Sequence, residues 1–260
     1  MERMERDTVL IDKGLVCRRF GKALNSYVQN ATVQLHINEK LLSMLKSNTD
    51  KIHFERVLEI GCGPGNLTKL LLENFRFDEL HLNDICSKWE EVLGVELGGS
   101  FQKFYGCDGE SFPFEGVFDM LVSASTLHWF HRPEQFFKKA ASHMNKGSVL
   151  AFSSFGSGNF NEIRTVTGRG LSYPDTQQLK GWLSNDYDLH FVEEESIPLW
   201  FASPIEVLRH MKNTGVTATG ASFWSRKDLA EFTSRYNALF AENGEVRLTY
   251  HPIYVYAVKK

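Results

Sequence analysis

Residues 57–65 read Val-Leu-Glu-Ile-Gly-Cys-Gly-Pro-Gly, and an amphipathic run, Asn66-Leu-Thr-Lys-Leu-Leu-Leu-Glu-Asn74, follows at once. A short apolar stretch, three glycines at alternate positions and a helical pattern give the order strand, tight turn, helix. That order brings bare backbone against a ligand at the carboxyl end of a strand. A dinucleotide fingerprint, G-x-G-x-x-G, would place its third glycine at position 66, where Asn66 stands; here the third glycine is Gly65. Glu59, two places before the first glycine, sits badly beside a pyrophosphate and well beside a cation.

Outward from this turn, strand and helix patterns alternate. Strands are expected at 56–60, 80–83, 101–105, 118–123 and 149–153, with helices at 66–74, near 87–96 and at 133–144, where Pro133 suits a first turn. Such alternation predicts an α/β fold, a parallel sheet covered by helices on both faces. Upstream, 15–46 has helical spacing with a break near Asn25–Asn30, and precedes the first strand, so it is expected to lie over the ligand edge. Beyond 153 the pattern loosens. Helices are expected at 160–168, at 176–183 (Asp175 with Gln178 marks its start) and at 203–214, entered by Ser203-Pro-Ile-Glu206. These three should form a lid. Residues 187–200 look extended, 226–240 helical, and 246–258 a closing strand or hairpin. The expected organisation is one domain: N-terminal covering helices (1–50), a ligand-binding core (51–154), a lid or substrate insert (155–225), and a last helix with closing strands (226–260).

The 260 residues are 42% hydrophobic and 23% charged, the balance of a globular chain with a sizeable core. A net charge of −3 gives no global basic field for nucleic acid. The opening Met-Glu-Arg-Met-Glu-Arg-Asp has no secretory pattern, and no apolar run approaches membrane-spanning length. Cys17, Cys62, Cys86 and Cys107 form no C-x-x-C pair, so reduced thiols in a cytoplasmic protein are expected. His128 and His131 lie three apart without further ligands, so no metal site is expected. A monomer is the expected state.

The run E-x-G-x-G-x-G at 59–65 resembles the first motif of class I S-adenosylmethionine-dependent methyltransferases. The resemblance implies a Rossmann-like, seven-stranded, mostly parallel sheet. S-adenosylmethionine carries a sulfonium and an ammonium, the cations that Glu59 suits. Gly61, Gly63 and Gly65 would bring the backbone to it. Asp84 ends the second strand, 19 residues beyond Gly65, where an acid accepts hydrogen bonds from both ribose hydroxyls; Asn83 competes for the role. Asp108, in Gly106-Cys-Asp-Gly109, matches the acid that receives the adenine amino group in that superfamily, while Asp-Gly is equally ordinary turn chemistry. After the fourth strand, Ser123 is placed to meet the methionine part, and His128 and Trp129 to cover the methyl-transfer pocket; core packing is the plainer reading of Trp129. Tyr27, on a covering helix, would close the site with its ring and hydroxyl, or simply pack in the core.

Several blocks together resemble the malonyl-acyl-carrier-protein O-methyltransferases of biotin synthesis. They are Arg19-Phe-Gly-Lys-Ala-Leu-Asn-Ser-Tyr27, Phe152–Arg164, Ile197-Pro-Leu-Trp-Phe201 and Leu208–Thr217. Asn145-Lys-Gly-Ser148 departs from the Lys-Pro-Gly-Gly such enzymes often show, with Gly147 keeping the turn possible. The resemblance implies methylation of the free malonyl carboxylate on acyl carrier protein, priming pimelate synthesis. It also implies an arginine gripping that carboxylate. Arg164 is the first choice and Arg169 and Arg209 the rivals, each equally readable as a solvated charge. An acidic carrier would dock on a basic rim, Arg18, Arg19 and Lys22 or Lys138 and Lys139. Two other readings stay open: a methyltransferase for a small free acid, of the aconitate type, and a non-catalytic S-adenosylmethionine-binding module. A nucleic-acid methyltransferase is the most distant, since no Asn-Pro-Pro-Tyr/Phe motif is present.

Overall fold

A computed structural model describes residues 11–22, 32–215 and 225–260. Tyr27 and the expected break near Asn25–Asn30 lie outside the described residues. The helices are α1 (Lys13–Lys22), α2 (Thr32–Asn48), α3 (Asn66–Asn74), α4 (Lys88–Glu96), α5 (Pro133–Ala141), α6 (Asn161–Thr167), α7 (Thr176–Leu183), α8 (Pro204–Asn213) and α9 (Arg226–Phe240). The strands are β1 (His53–Ile60), β2 (Arg76–Asn83), β3 (Lys103–Tyr105), β4 (Phe118–Ser123), β5 (Met144–Phe155), β6 (Tyr187–Glu194), β7 (Ile197–Phe201), β8 (Ala241–Glu242), β9 (Glu245–Tyr250) and β10 (Pro252–Lys259). No described helix is long and apolar enough to cross a membrane.

Seven strands form the main sheet in the order β3-β2-β1-β4-β5-β10-β6. β1 pairs in parallel with both β2 and β4, and β10 runs antiparallel to both β5 and β6. The expected Rossmann-like, mostly parallel sheet is what the chain forms. Strand order reverses between β1 and β4, and their carboxyl ends open the crevice where such sheets take ligands.

Alternate strand residues feed two buried layers, as period-two geometry requires. Val57, Leu80, Val122 and Ala151 meet α2, α3 and α4 through Ile37, Leu71 and Leu93 on one face. Leu58, Leu121, Leu150 and Val255 meet α5 and α7 through Phe136, Phe137 and Leu183 on the other. The start of α3 depends on Gly65, held at φ +79°, where a Cβ would come within 2.5 Å of the Leu93 side chain. The capping pattern read at 203–206 is present: Ser203 accepts from the Glu206 amide and Pro204 fills the first helical turn.

Two expectations are corrected. Within the N-terminal cover (1–50), α2 packs against α3, β5 and β10 on a face of the sheet, because its apolar stripe is wide enough to be core; among the described residues the cover is α1. The 155–225 lid is not one insert, because β6 joins the main sheet and α7 packs beside it against α5. The expected extension of 187–200 is present, as two strands. The chain breaks between β6 and β7, and β7 leaves to form a second antiparallel sheet, β7-β9-β8. α6 and α9 pack on that small sheet, and α8 lies against β7 and α9.

Candidate cofactor and substrate site

A cleft of about 90 Å³ lies at the carboxyl ends of β1, β2 and β4. The glycine turn forms one wall. The Gly61 and Cys62 amides both donate to the Asn83 carbonyl, at 2.8 and 2.9 Å, tying the turn to the end of β2. Gly61 sits at φ +73°, and a Cβ there would lie 2.0 Å from Thr126 Oγ1. Gly63, at φ +50°, donates its amide to Asp84 Oδ2 at 2.9 Å, and its Cβ position is open space. Gly65 stands behind the turn and does not line the cleft.

Asp84 lines the cleft and also accepts from the Cys86 amide at 2.8 Å. Burial pushes its carboxyl up to about 6, against the pull of these two backbone hydrogen bonds. The Asn83 amide group donates instead to the carbonyls of Tyr105 and Cys107, at 2.9 and 2.8 Å, bridging β2 to the end of β3. Asp84 is thus the acceptor facing the cleft.

Two expected cofactor contacts turn inward. Glu59 is 2% exposed, and its Oε2 accepts from Thr68 Oγ1 at 2.7 Å beneath the turn. Burial raises its carboxyl to about 8, with the Asp84 charge adding a smaller push. Ser123 is fully buried and donates to the Ile60 carbonyl at 2.8 Å, joining β4 to β1. Neither lines the cleft; Ala124, Ser125 and Thr126 do. Each is instead spent on a hydrogen bond inside the fold.

Asp108 is in the cleft wall. It caps a short turn, accepting from the Glu110 amide at 3.1 Å, and Lys13 Nζ lies 2.6 Å from its Oδ2. Lys13 also pairs with Glu110, which accepts from the His131 and Arg132 amides. These contacts pin α1 across the cleft. Val16 of α1 then packs with Trp129 and Leu171. Trp129 is 7% exposed and lines the cleft, so packing and cover coincide in one residue. Nothing in the sequence singled out Lys13, because a lysine at a helix start has no local signature.

A second cavity, about 230 Å³, lies across the short Leu127–Trp129 turn. His128 faces it, together with Phe152, Ser154, Tyr173 and Trp182. The His128 ring centre is 4.7 Å from that of Trp129 and 4.9 Å from that of Phe155. Burial drives its pKa down to about 3, so the imidazole is neutral. Its Nδ1 and the Ser125 hydroxyl are buried without a partner among the described residues.

Arg164 lines neither space. Its Nη2 donates to the Ser157 carbonyl at 2.6 Å and to Asn161 Oδ1 at 3.1 Å. Arg209 pairs with Glu206 at 2.5 Å on the exposed face of α8, and Arg169 lies in neither wall. Of the basic rims, Lys139 is committed to the Phe112 carbonyl at 2.8 Å, while Arg18 is 63% exposed. No group of three His, Cys, Asp or Glu side chains among the described residues is arranged to hold a metal.

Comparison with known proteins reaches the same region. Residues 58–152 match the family model described as Methyltransferase domain. The fold resembles that of the YcgJ protein of Bacillus subtilis, at a TM-score of 0.61 with 14% identity, over 85% of this chain and 99% of that one. A malonyl-[acyl-carrier protein] O-methyltransferase of Bacteroides helcogenes is 36% identical over 273 aligned positions, spanning 96% of this chain and 100% of the relative. The chain belongs to this methyltransferase family. A relative of the same name from Bacteroides fragilis 638R is 40% identical over 95% of this chain, which spans 51% of that longer protein.

The methyl donor of this methyltransferase is S-adenosylmethionine. The cleft fits it: the open position at Gly63 is space a side chain would fill, and the Asp84 carboxylate stands at its edge.

Proposed function

We propose that the protein transfers the methyl group of S-adenosylmethionine to the free carboxylate of a malonyl thioester on acyl carrier protein, giving the methyl ester. The observation that carries this reading is the end-to-end match to the Bacteroides helcogenes malonyl-[acyl-carrier protein] O-methyltransferase. Gly61, Gly63 and Asp84 would hold the cofactor, with Asp108 toward the adenine side once Lys13 yields. Bound there, S-adenosylmethionine supplies a methyl group activated by its sulfonium.

The chain's own tasks are modest. A malonyl carboxylate is ionised at neutral pH, so no general base is required. The site has to align the carboxylate oxygen and exclude water. Trp129 and Val16, backed by Leu171, supply the apolar wall that does so. The ester removes a charge, the change a downstream chain-extending enzyme would read.

This reading includes a cytoplasmic monomer that binds neither nucleic acid nor membrane. Its four free cysteines suit a reducing compartment. The acidic carrier would meet exposed cations such as Arg18, and raising salt should weaken that encounter. The test is transfer of labelled methyl from S-adenosylmethionine to malonyl-carrier, beside malonyl-CoA and free malonate. Turnover on the carrier form supports the reading. Turnover confined to free acids favours the small-acid alternative, and cofactor uptake with no turnover favours a binding module.

A further inference from the structure

We propose that the cavity beyond the Leu127–Trp129 turn receives the malonyl head, and that the imidazole of His128 and the hydroxyl of Ser125 hold its carboxylate. This rests on the function proposed above and adds to it the site and the groups that choose the substrate. Both residues carry a buried polar atom without a partner among the described residues, three positions apart in sequence, on one loop. A buried polar group costs stability unless it is paired, and two such groups in one loop point to a guest that pairs them. Ser125 lines the cofactor cleft and His128 lines the second cavity, so the loop is the wall between donor and acceptor. Ser125 is also held at φ +50°, a strained conformation for a residue with a Cβ, and strain of this kind gathers at binding sites.

The chemistry favours neutral donors here. The attacking carboxylate loses its negative charge as the new oxygen–carbon bond forms. A cation clamped on it would stabilise the starting state more than the transition state and slow transfer. A neutral imidazole and a hydroxyl orient the oxygens with less of that penalty. Burial keeps His128 uncharged at neutral pH, so it donates a hydrogen bond without protonating the nucleophile. The Trp129 and Phe155 rings fix its plane. Arg164 contributes from behind: its charge is felt at Tyr173, in the cavity wall, without touching the guest. Glu134 is the one carboxylate in that wall. Leu127, Phe152 and Trp182 offer apolar surface for the thioester and the start of its arm.

The test compares malonyl-carrier with acetyl-carrier, which has the same arm and no carboxylate, in binding competition with S-adenosylhomocysteine present. Wild type should prefer malonyl-carrier by at least about tenfold, the scale of lost hydrogen bonds to a charged group. His128→Leu and Ser125→Ala should each cut that preference to about threefold or less while the melting temperature stays near wild type, and His128→Leu, which lies outside the cofactor cleft, should also keep cofactor affinity. His128→Asn, which returns an N–H close to the same place, should restore part of it. If His128→Leu does not fold, Ser125→Ala and His128→Asn decide. An active wild type whose folded variants keep the full preference overturns this assignment alone. A wild type inert toward malonyl-carrier overturns the function and the assignment with it.

Discussion

Gly61 and Gly63 share a turn and are glycine for different reasons. At Gly61 a Cβ collides with Thr126, so Gly61→Ala should leave little soluble, folded protein. At Gly63 a Cβ meets only open cleft. Gly63→Ala should therefore fold, with a backbone penalty of about 1–2 kcal/mol, and bind S-adenosylmethionine at least about tenfold more weakly in calorimetry. Glu59 supports a second prediction. Its folded pKa, about 8, lies above the ordinary 4.5, so the fold favours the protonated form. Stability contributed by such a group falls as pH rises across that interval. Asp84, raised from 3.8 to about 6, acts the same way over a lower range. The melting temperature of the ligand-free protein should therefore drop between pH 6 and pH 8, and Glu59→Gln, which keeps an acceptor for Thr68, should flatten most of that slope. An unchanged slope in the variant would place the titration elsewhere. The sequence showed which residue types gather at the turn, because glycine spacing and acidic strand ends are local patterns. It did not show that Glu59 and Ser123 face inward, since side-chain direction depends on where each strand ends.

Among elements, α1 is the one whose position depends on a few polar contacts. Lys13 reaches Asp108 and Glu110, and its charge lies 5.3 Å from the centre of the Phe130 ring. Lys13→Ala should speed amide exchange across residues 13–22 while moving the melting temperature by only a few degrees, because α1 adds little to either main core. Unchanged exchange would mean that the Val16 contacts alone hold the helix. The limits of α3 and α7 were legible to the residue, each having a turn glycine or capping box at its start. The surroundings of Arg164 are not legible in this way. A family-like segment placed it near the site, but its hydrogen bonds to Ser157 and Asn161 draw it away from both cavities.

At the scale of the molecule, β10 is the strand on which the sheet depends, flanked by β5 and β6 with Tyr254 and Val255 wholly buried. Truncation after Tyr250 should therefore yield insoluble chain, judged by the soluble fraction on expression, rather than a trimmed but active protein. The β–α alternation through β5 was readable because each unit pairs with a near neighbour in sequence. The division of 187–201 and 245–259 between two sheets was not. Local pattern marks a segment as extended but does not choose among distant partners.

The same insertion bears on how the protein is made. β5 leaves the ribosome well before the strand that covers its edge, and throughout the synthesis of residues 156–251 that edge is a row of unpaired amides and carbonyls. A nascent chain in this state invites capture by a second copy, so yield should respond to chaperone supply and translation speed more than to any single core substitution.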